Sequence, residues 1–315
     1  MSTPHTPPRV AVLGGTGFIG RAVTARFEAT GSEVLTLARK PSAVPVAGRF
    51  VPFDLTASPA SELAALLERE RVDVVVNAAG GMWGLDDEQM HVANVVLVDR
   101  LVEAIGSTAA PARLVHLGTV HEYGLVPVGT SQHEDDVPAP VMAYGRLKLA
   151  ATERVVDAVG REGLDAVVLR LGNVTGAGQP GHSLLGVMGA KLAAAHAAGT
   201  VAELSLQPLT AQRDFVDLDD TVDAVVAAAA TRTPRTVLNI GTGAAAPARQ
   251  LVDLLIEVSG VPVAVTEVPA PDGTGPEREW QQLDVAAAAA ELGWTPRRSL
   301  RDSVESLWHA QLKTV

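Results

Sequence analysis

The 315-residue sequence has no cysteine. Disulfides, thiolate nucleophiles and cysteine-ligated metals are therefore excluded, and the chain suits a reducing compartment. Aromatic residues are scarce, with two tyrosines, and only four of the 25 basic residues are lysine. A tyrosine or lysine inside a motif therefore stands out. The formal net charge of −11 works against nucleic acid or an anionic membrane as the main partner, while leaving room for a local basic pocket. Long apolar runs are missing as well. Alanine-rich stretches such as AAHAAG, AVVAAAA and DVAAAAAEL are too short or too interrupted to span a bilayer. The segment MSTPHTPPR lacks the apolar core of a secretory signal, so a cytoplasmic location is expected. The histidines show no metal-ligand spacing, and no metal is expected. What is present is globular: 19% charged and 47% apolar residues, in a chain long enough for more than one average domain.

The hydrophobic pattern alternates strand and helix. RVAVL at Arg9–Leu13 reads as a buried first strand, and Phe18–Ala29 has helical spacing. The series continues with strands at Glu33–Ala38 and Phe50–Phe53, a helix at Ser61–Arg69 and a strand at Val72–Val76. A helix at Asp86–Ile105, a strand at Arg113–Leu117, a helix at Tyr144–Gly160 and a strand at Asp165–Leu169 follow. This rhythm predicts an α/β fold, a Rossmann-type doubly wound parallel sheet that binds ligands beyond the carboxyl ends of its strands. After Leu171 the pattern changes. Helices are expected at Leu184–Ala198, Val216–Ala230 and Pro247–Val258, strands at Thr236–Ile240 and Val263–Val268, a loop at Pro269–Pro276 and two closing helices. The expected organisation is a nucleotide-binding domain over 1–171 with returning segments near 214–242. A smaller C-terminal substrate-binding lobe is then formed by 172–213 and 243–315.

GGTGFIG lies between the first strand and first helix. Glycines at Gly14, Gly17 and Gly20 allow a tight turn and close approach of a pyrophosphate, with Thr16, Phe18 and Ile19 completing the cradle at the helix N-terminus. An NAD site usually carries an acid at the end of the second strand, accepting from the ribose 2′-hydroxyl. Here that strand ends in Ala38-Arg39-Lys40. Arg39 and Lys40 suit a 2′-phosphate, so NADP with NADPH preferred is the expected cofactor, NAD being possible; two solvated surface cations are the other reading. Asp54 and Leu55 are candidates for the adenine edge or a plain loop. Ala78, Ala79 and Gly80, after Asn77, are small enough for backbone to lie against the cofactor, or simply end a strand.

Tyr144 and Lys148 are four apart on an expected helix and share a face. An ammonium so placed is expected to lower the phenol pKa toward the working range, making Tyr144 a proton donor to a ketone. Lys148 is also expected to bond the nicotinamide ribose. Thr119, just past a strand, is placed to orient the substrate oxygen, although such a threonine is equally a turn residue.

GGTGFIG, NAAG, LGTVHEYG, YGRLK, LRLGNVTG and RDFVDLDD, in this order, together with the closing LGWTPRRSLRDSV, resemble the extended short-chain dehydrogenase/reductase family in its NAD(P)-dependent sugar epimerase/dehydratase branch. The resemblance covers nearly the whole chain. It implies a Thr119–Tyr144–Lys148 triad, a cofactor contact from Asn94 and a nucleoside-diphosphate sugar substrate. It also implies a homodimer whose four-helix bundle uses Asp86–Ile105 and Tyr144–Gly160. Arg213 and Arg278 match arginines that clamp the diphosphate, unless they form surface ion pairs. Asn173 is a candidate contact to diphosphate or sugar, or a turn residue. Trp83 and His121 are candidate pocket walls, or packing and structural residues.

Three departures narrow the chemistry. Dehydratases of this branch carry Thr-Asp-Glu where this chain has Thr119-Val120-His121, so elimination lacks its acid pair. Epimerase/reductases of the GDP-fucose synthase type move protons with a cysteine, which is missing here. Epimerases of the UDP-galactose type retain NAD, whereas the second strand suits NADP. What remains is an NADPH-dependent ketoreductase acting on a nucleoside-diphosphate, expected dTDP, 4-keto-6-deoxy sugar. The WG element Trp83-Gly84 and HEYG resemble ketoreductases of deoxysugar biosynthesis, including that which serves antibiotics. An epimerase with the same triad is the rival enzyme, and an NADP-binding redox sensor the rival non-enzyme.

Overall fold

The structure is a computed structural model that describes residues 7–269 and 279–313. Its centre is a seven-stranded sheet. The strands are β1 (Arg9–Leu13), β2 (Glu33–Ala38), β3 (Arg49–Pro52), β4 (Val74–Asn77), β5 (Arg113–Thr119), β6 (Ala166–Leu171) and β10 (Val237–Ile240). All pairings are parallel, in the order β10-β6-β5-β4-β1-β2-β3. The chain runs outward in opposite directions from β1, so the crevice between β1 and β4 is the topological switch point. The strands are Val- and Leu-rich because both faces are covered. One face packs on α2 (Ala60–Glu70), α4 (Leu97–Gly106) and α5 (Ala143–Asp157), sharing a core that includes Leu37, Leu63, Leu101, Leu114 and Ala151. The other packs on α1 (Phe18–Ala29), α7 (Leu218–Ala230) and α9 (Ala286–Leu292), around Val12, Val76, Leu169, Val225 and Trp294.

A third core lies apart from the sheet. Leu192 of α6 (Leu184–Ala198), Leu251 and Leu255 of α8 (Ala248–Ser259), and Leu307 and Trp308 of α10 (Leu300–Leu312) meet Ala202, Leu204 and Leu206 of β8 (Ala202–Leu206). β8 pairs in parallel with β12 (Val263–Glu267). A small sheet of β7 (Asn173–Thr175), β9 (Gln212–Asp217) and β11 (Ala245–Pro247) connects this part to the main sheet.

The main-sheet elements fall where the hydrophobic period places them, within a residue or two. Four features differ, one being that the helix expected over Tyr144–Gly160 gives way after Asp157 to a π turn at Ala158–Glu162. The helix expected over Asp86–Ile105 is α3 (Asp87–His91), a π turn at Val92–Val96 and α4; the bulge falls on Asn94, which bonds out of the helix. The helix expected from Val216 starts at Leu218, because Val216 and Asp217 complete β9 and Asp217 then caps the helix, accepting from the Asp219 and Asp220 amides. β7, β8, β9 and β11 were not expected. β8 alternates buried and exposed residues, a period-2 signal that is legible in AELSL; the others are short and held by tertiary pairing.

Candidate active site

Gly14 follows β1 with φ +73°, in the left-handed region, and its amide bonds the Leu37 carbonyl (2.9 Å). A Cβ on Gly20 would stand 2.2 Å from the Gly14 carbonyl oxygen, so α1 approaches the turn as only glycine permits. α1 begins with no side-chain cap at Gly17 and no acid in its first turn. Its leading amides and positive dipole end are thus left for an anion. Gly17 is exposed, while Thr16, Phe18 and Ile19 are half-buried at the switch point. This cradle fits a dinucleotide pyrophosphate.

Around it, Arg39 and Lys40 are exposed at the end of β2 and form no ion pair among the described residues. One Asp54 oxygen is taken by the Thr56 amide (3.0 Å) and hydroxyl, and the Leu55 side chain is buried in the core. Asp54 thus shapes its loop, and Leu55 has only its backbone to present. After β4, Ala78 and Ala79 are half-buried and Gly80 is exposed. Buried Asn94 ties down the next residue: Nδ2 donates to the Gly81 carbonyl (2.8 Å) and Oδ1 accepts from the Gly81 amide. Its bonds in this structure go to protein backbone.

The catalytic candidates converge through one tight contact. Thr119 is the last residue of β5, not the residue after it, and opens a 3-10 turn at Val120–Glu122. A Cβ on Gly145 would lie 2.4 Å from the His121 carbonyl oxygen. Gly145 therefore lets the first turn of α5 rest on the Thr119 turn, bringing Tyr144 and Lys148 beside it; the Tyr144 and His121 rings are 6.2 Å apart. Lys148 is buried and its Nζ donates to the Leu117 carbonyl (2.6 Å). Burial brings its pKa down to about 8, and Glu122 opposes this. The expectation for the phenol is corrected here. Tyr144 is pushed up to about 12, first by burial and then by the Glu122 carboxylate. The ammonium donates to a backbone carbonyl, and burial of the phenol dominates.

Glu122, fully buried, was not singled out from the sequence. It accepts from the Thr119 amide (2.8 Å) and from Arg170 Nε (2.8 Å), and Arg170 lies over the Tyr123 ring. Tyr123 in turn donates to Asn239 on β10 (2.7 Å). His116, also unforeseen, meets Asn77 (3.0 Å) beneath the site and leaves Nε2 buried without a partner. Burial and Lys148 hold its pKa well below the usual histidine range.

On the substrate side, His121 Nδ1 meets Gln281 Nε2 (3.3 Å), and Asn173 Nδ2 donates to Gln281 Oε1 (2.8 Å). Gln281 also reaches Glu279, which pairs with Arg213 (2.5 Å). His121, Asn173 and Arg213 are thus brought together, joined by Gln281 and Glu279, which carried no motif. Burial and Arg213 lower the His121 pKa, so its ring is neutral near pH 7. Trp83, exposed, packs against His182 (5.3 Å between centroids), joining the loop after β4 to the loop before α6. Arg278 lies outside the described residues. No helix among the described residues is long and apolar enough to cross a membrane.

Residues 10–241 match the model of the NAD dependent epimerase/dehydratase family. The chain is 69% identical over 312 residues to a dTDP-6-deoxy-L-talose 4-dehydrogenase (NAD(P)(+)) of Kitasatospora kifunensis, covering 99% of this chain and 98% of that one. It is 28% identical to a UDP-glucose 4-epimerase of Azospirillum brasilense, covering 94% and 90%. The solved structure of MoeE5 in complex with UDP-glucuronic acid and NAD superimposes with a TM-score of 0.82 at 27% identity, covering 98% of this chain and all of the other. With the glycine turn at the switch point and the Tyr144–Lys148 helix beside Thr119, the chain belongs to the NAD-dependent epimerase/dehydratase family, within the extended short-chain dehydrogenases/reductases, and is an NAD(P)-dependent oxidoreductase of that type.

Proposed function

We propose that the chain is an NADPH-dependent ketoreductase acting at the 4-keto group of a dTDP-linked 6-deoxy sugar. The observation that carries this reading is the 69% identity, over nearly both full lengths, to a dTDP-6-deoxy-L-talose 4-dehydrogenase. Dehydrogenation at C4 and reduction of the 4-ketone are one reaction in two directions, served by the same groups. Reduction is favoured by Arg39 and Lys40, which form no ion pair among the described residues and suit NADPH. Tyr144, pushed up to about 12, is protonated near neutrality and can serve as the donor in that direction.

The nicotinamide would supply hydride to the carbonyl carbon. Tyr144 gives its proton to the oxygen as negative charge builds there, and the Thr119 hydroxyl orients that oxygen. Lys148, cationic below about pH 8, stabilises the phenolate left behind and would hold the nicotinamide ribose of a bound cofactor. His121, Gln281 and Asn173 face the sugar, Arg213 the diphosphate, and Trp83 with His182 covers the cleft. Residues 172–213 and 243–315 act as the substrate lobe and 1–171 with 214–242 as the cofactor domain. The side-by-side packing of α4 and α5 supports a homodimer through a four-helix bundle.

The test is an assay with NADPH and a dTDP-4-keto-6-deoxy sugar. Stoichiometric loss of reduced-nicotinamide absorbance is expected. The 28% identity to a UDP-glucose 4-epimerase favours a second reading, in which C4 is inverted without net nicotinamide consumption; turnover of that kind would replace the first.

A further inference from the structure

Arg21 follows the glycine turn directly, in the opening turns of α1. One guanidinium nitrogen donates to the Thr16 carbonyl (3.2 Å) and to Ser42 Oγ (2.9 Å). Thr16 belongs to the glycine turn and Ser42 to the loop after β2, so the guanidinium bridges the two segments that flank the adenosine end of the cleft. Both partners are neutral, and among the described residues no carboxylate pairs with Arg21. Its neighbour on the same helix, Arg26, pairs instead with Asp219 and Asp223. Arg21 Nε is buried without a hydrogen-bond partner, an unmet donor that an incoming acceptor would satisfy. The stretch from Ala38 to Ser42 contains no acid, and Arg39 stands exposed within it.

A planar cation with neutral partners and an orphaned N–H, bonded to a loop that carries a second exposed guanidinium three residues before Ser42, is suited to a doubly charged phosphomonoester. We propose that Arg21 is a specificity-determining residue that recognises the 2′-phosphate of NADP(H), with Arg39 closing the site from solvent. The inference rests on the NADPH preference proposed above and assigns its inner half to a residue of α1, not to the β2 loop alone. With NAD(H) the site meets a neutral hydroxyl, and both cations lose their counter-charge.

The experiment measures Kd for NADPH and NADH by nucleotide fluorescence, in the absence of sugar, for the wild type, Arg21→Gln and Arg39→Gln. Adenosine 2′,5′-bisphosphate and ADP serve as competitors. The wild type is expected to bind NADPH at least about tenfold tighter than NADH. Arg21→Gln is expected to weaken NADPH and adenosine 2′,5′-bisphosphate about 10- to 100-fold, the worth of a hydrogen bond to a charged group. NADH and ADP are expected to change less than about twofold. Equal loss for both nucleotides would mean that Arg21 only braces the turn, and would overturn the inference. Undiminished discrimination in Arg21→Gln would overturn it while leaving the NADPH preference standing. A wild type without preference would remove both. Should Arg21→Gln not fold, Arg21→Lys decides: a loss confined to the 2′-phosphorylated ligands supports the assignment, and a uniform loss rejects it.

Discussion

Lys148 is held by one backbone carbonyl in a nearly dry setting, and its pKa falls from 10.5 to about 8. Because the folded value lies below the unfolded one, the unfolded chain binds more protons between those limits. Stability therefore sits at its lower level below about pH 8 and rises with pH across that window. Each pKa unit is worth about 1.4 kcal/mol, so Lys148→Met is expected to raise unfolding stability near pH 7 by about 1–3 kcal/mol while abolishing turnover. Thermal unfolding and the reductase assay check the two halves together, and a fall in Tm would contradict the burial argument. Glu122 acts on the same groups, raising the pKa of both Lys148 and Tyr144. Glu122→Gln should move the alkaline limb of the kcat/KM profile to lower pH, since both protons would leave sooner; an unmoved limb would leave Glu122 as a brace for Thr119 alone. Tyr144→Phe, which removes the proposed proton donor, should cost about 10²–10⁴ in kcat with NADPH binding retained. Full turnover in that variant would end the mechanism.

The 3-10 turn after β5 and the first turn of α5 pack as one unit because Gly145 has no side chain. With the His121 carbonyl 2.4 Å from where a Cβ would stand, Gly145→Ala must push α5 off the turn. A displacement on the ångström scale at a reacting centre costs about 100-fold. Gly145→Ala is therefore expected to lose that much kcat/KM while circular dichroism stays native, and an unimpaired variant would show that the contact does not align the site. Tyr144 and Lys148 were legible in the sequence as an i, i+4 pair among few tyrosines and lysines, as was the glycine turn. Gly145 sat in full view between them without a signal, because its role depends on the carbonyl of a residue 24 positions earlier. Glu122 was hidden likewise: in HEYG it reads as one more exposed acid, and only the sheet places Arg170 of β6 against it.

Two motifs far apart in the chain close the molecule. In RDFVDLDD, buried Asp214 accepts from the amides of Thr242, Gly243 and Leu283 and from the Thr242 hydroxyl. Asp217 caps α7 and accepts from Ser303 of α10. Asp220 accepts from the amides of Arg297 and Arg298 and from the Arg298 guanidinium, while its carbonyl receives the Trp294 indole. The closing LGWTPRRSLRDSV is thus the partner of RDFVDLDD, holding the last helices against both the sheet and the third core. Asp220→Ala, which strands two amides and a guanidinium, is expected to destabilise the chain by about 2–4 kcal/mol in denaturant unfolding; a cost within about 0.5 kcal/mol, as at an ordinary surface site, would show the latch to be dispensable.

By itself the sequence determined the parallel sheet, the glycine turn at its switch point and the i, i+4 placement of Tyr144 and Lys148 on one helix. Those features are written in local periodicity and in the conformational latitude of glycine, both of which act over a few residues. Tertiary structure alone decided that the phenol is raised to about 12 and not lowered, that Gln281 and Glu279 join His121, Asn173 and Arg213, and that Arg21 meets no acid among the described residues. A pKa, a hydrogen bond across 160 residues and an unmet charge all depend on which groups folding removes from water and sets beside one another.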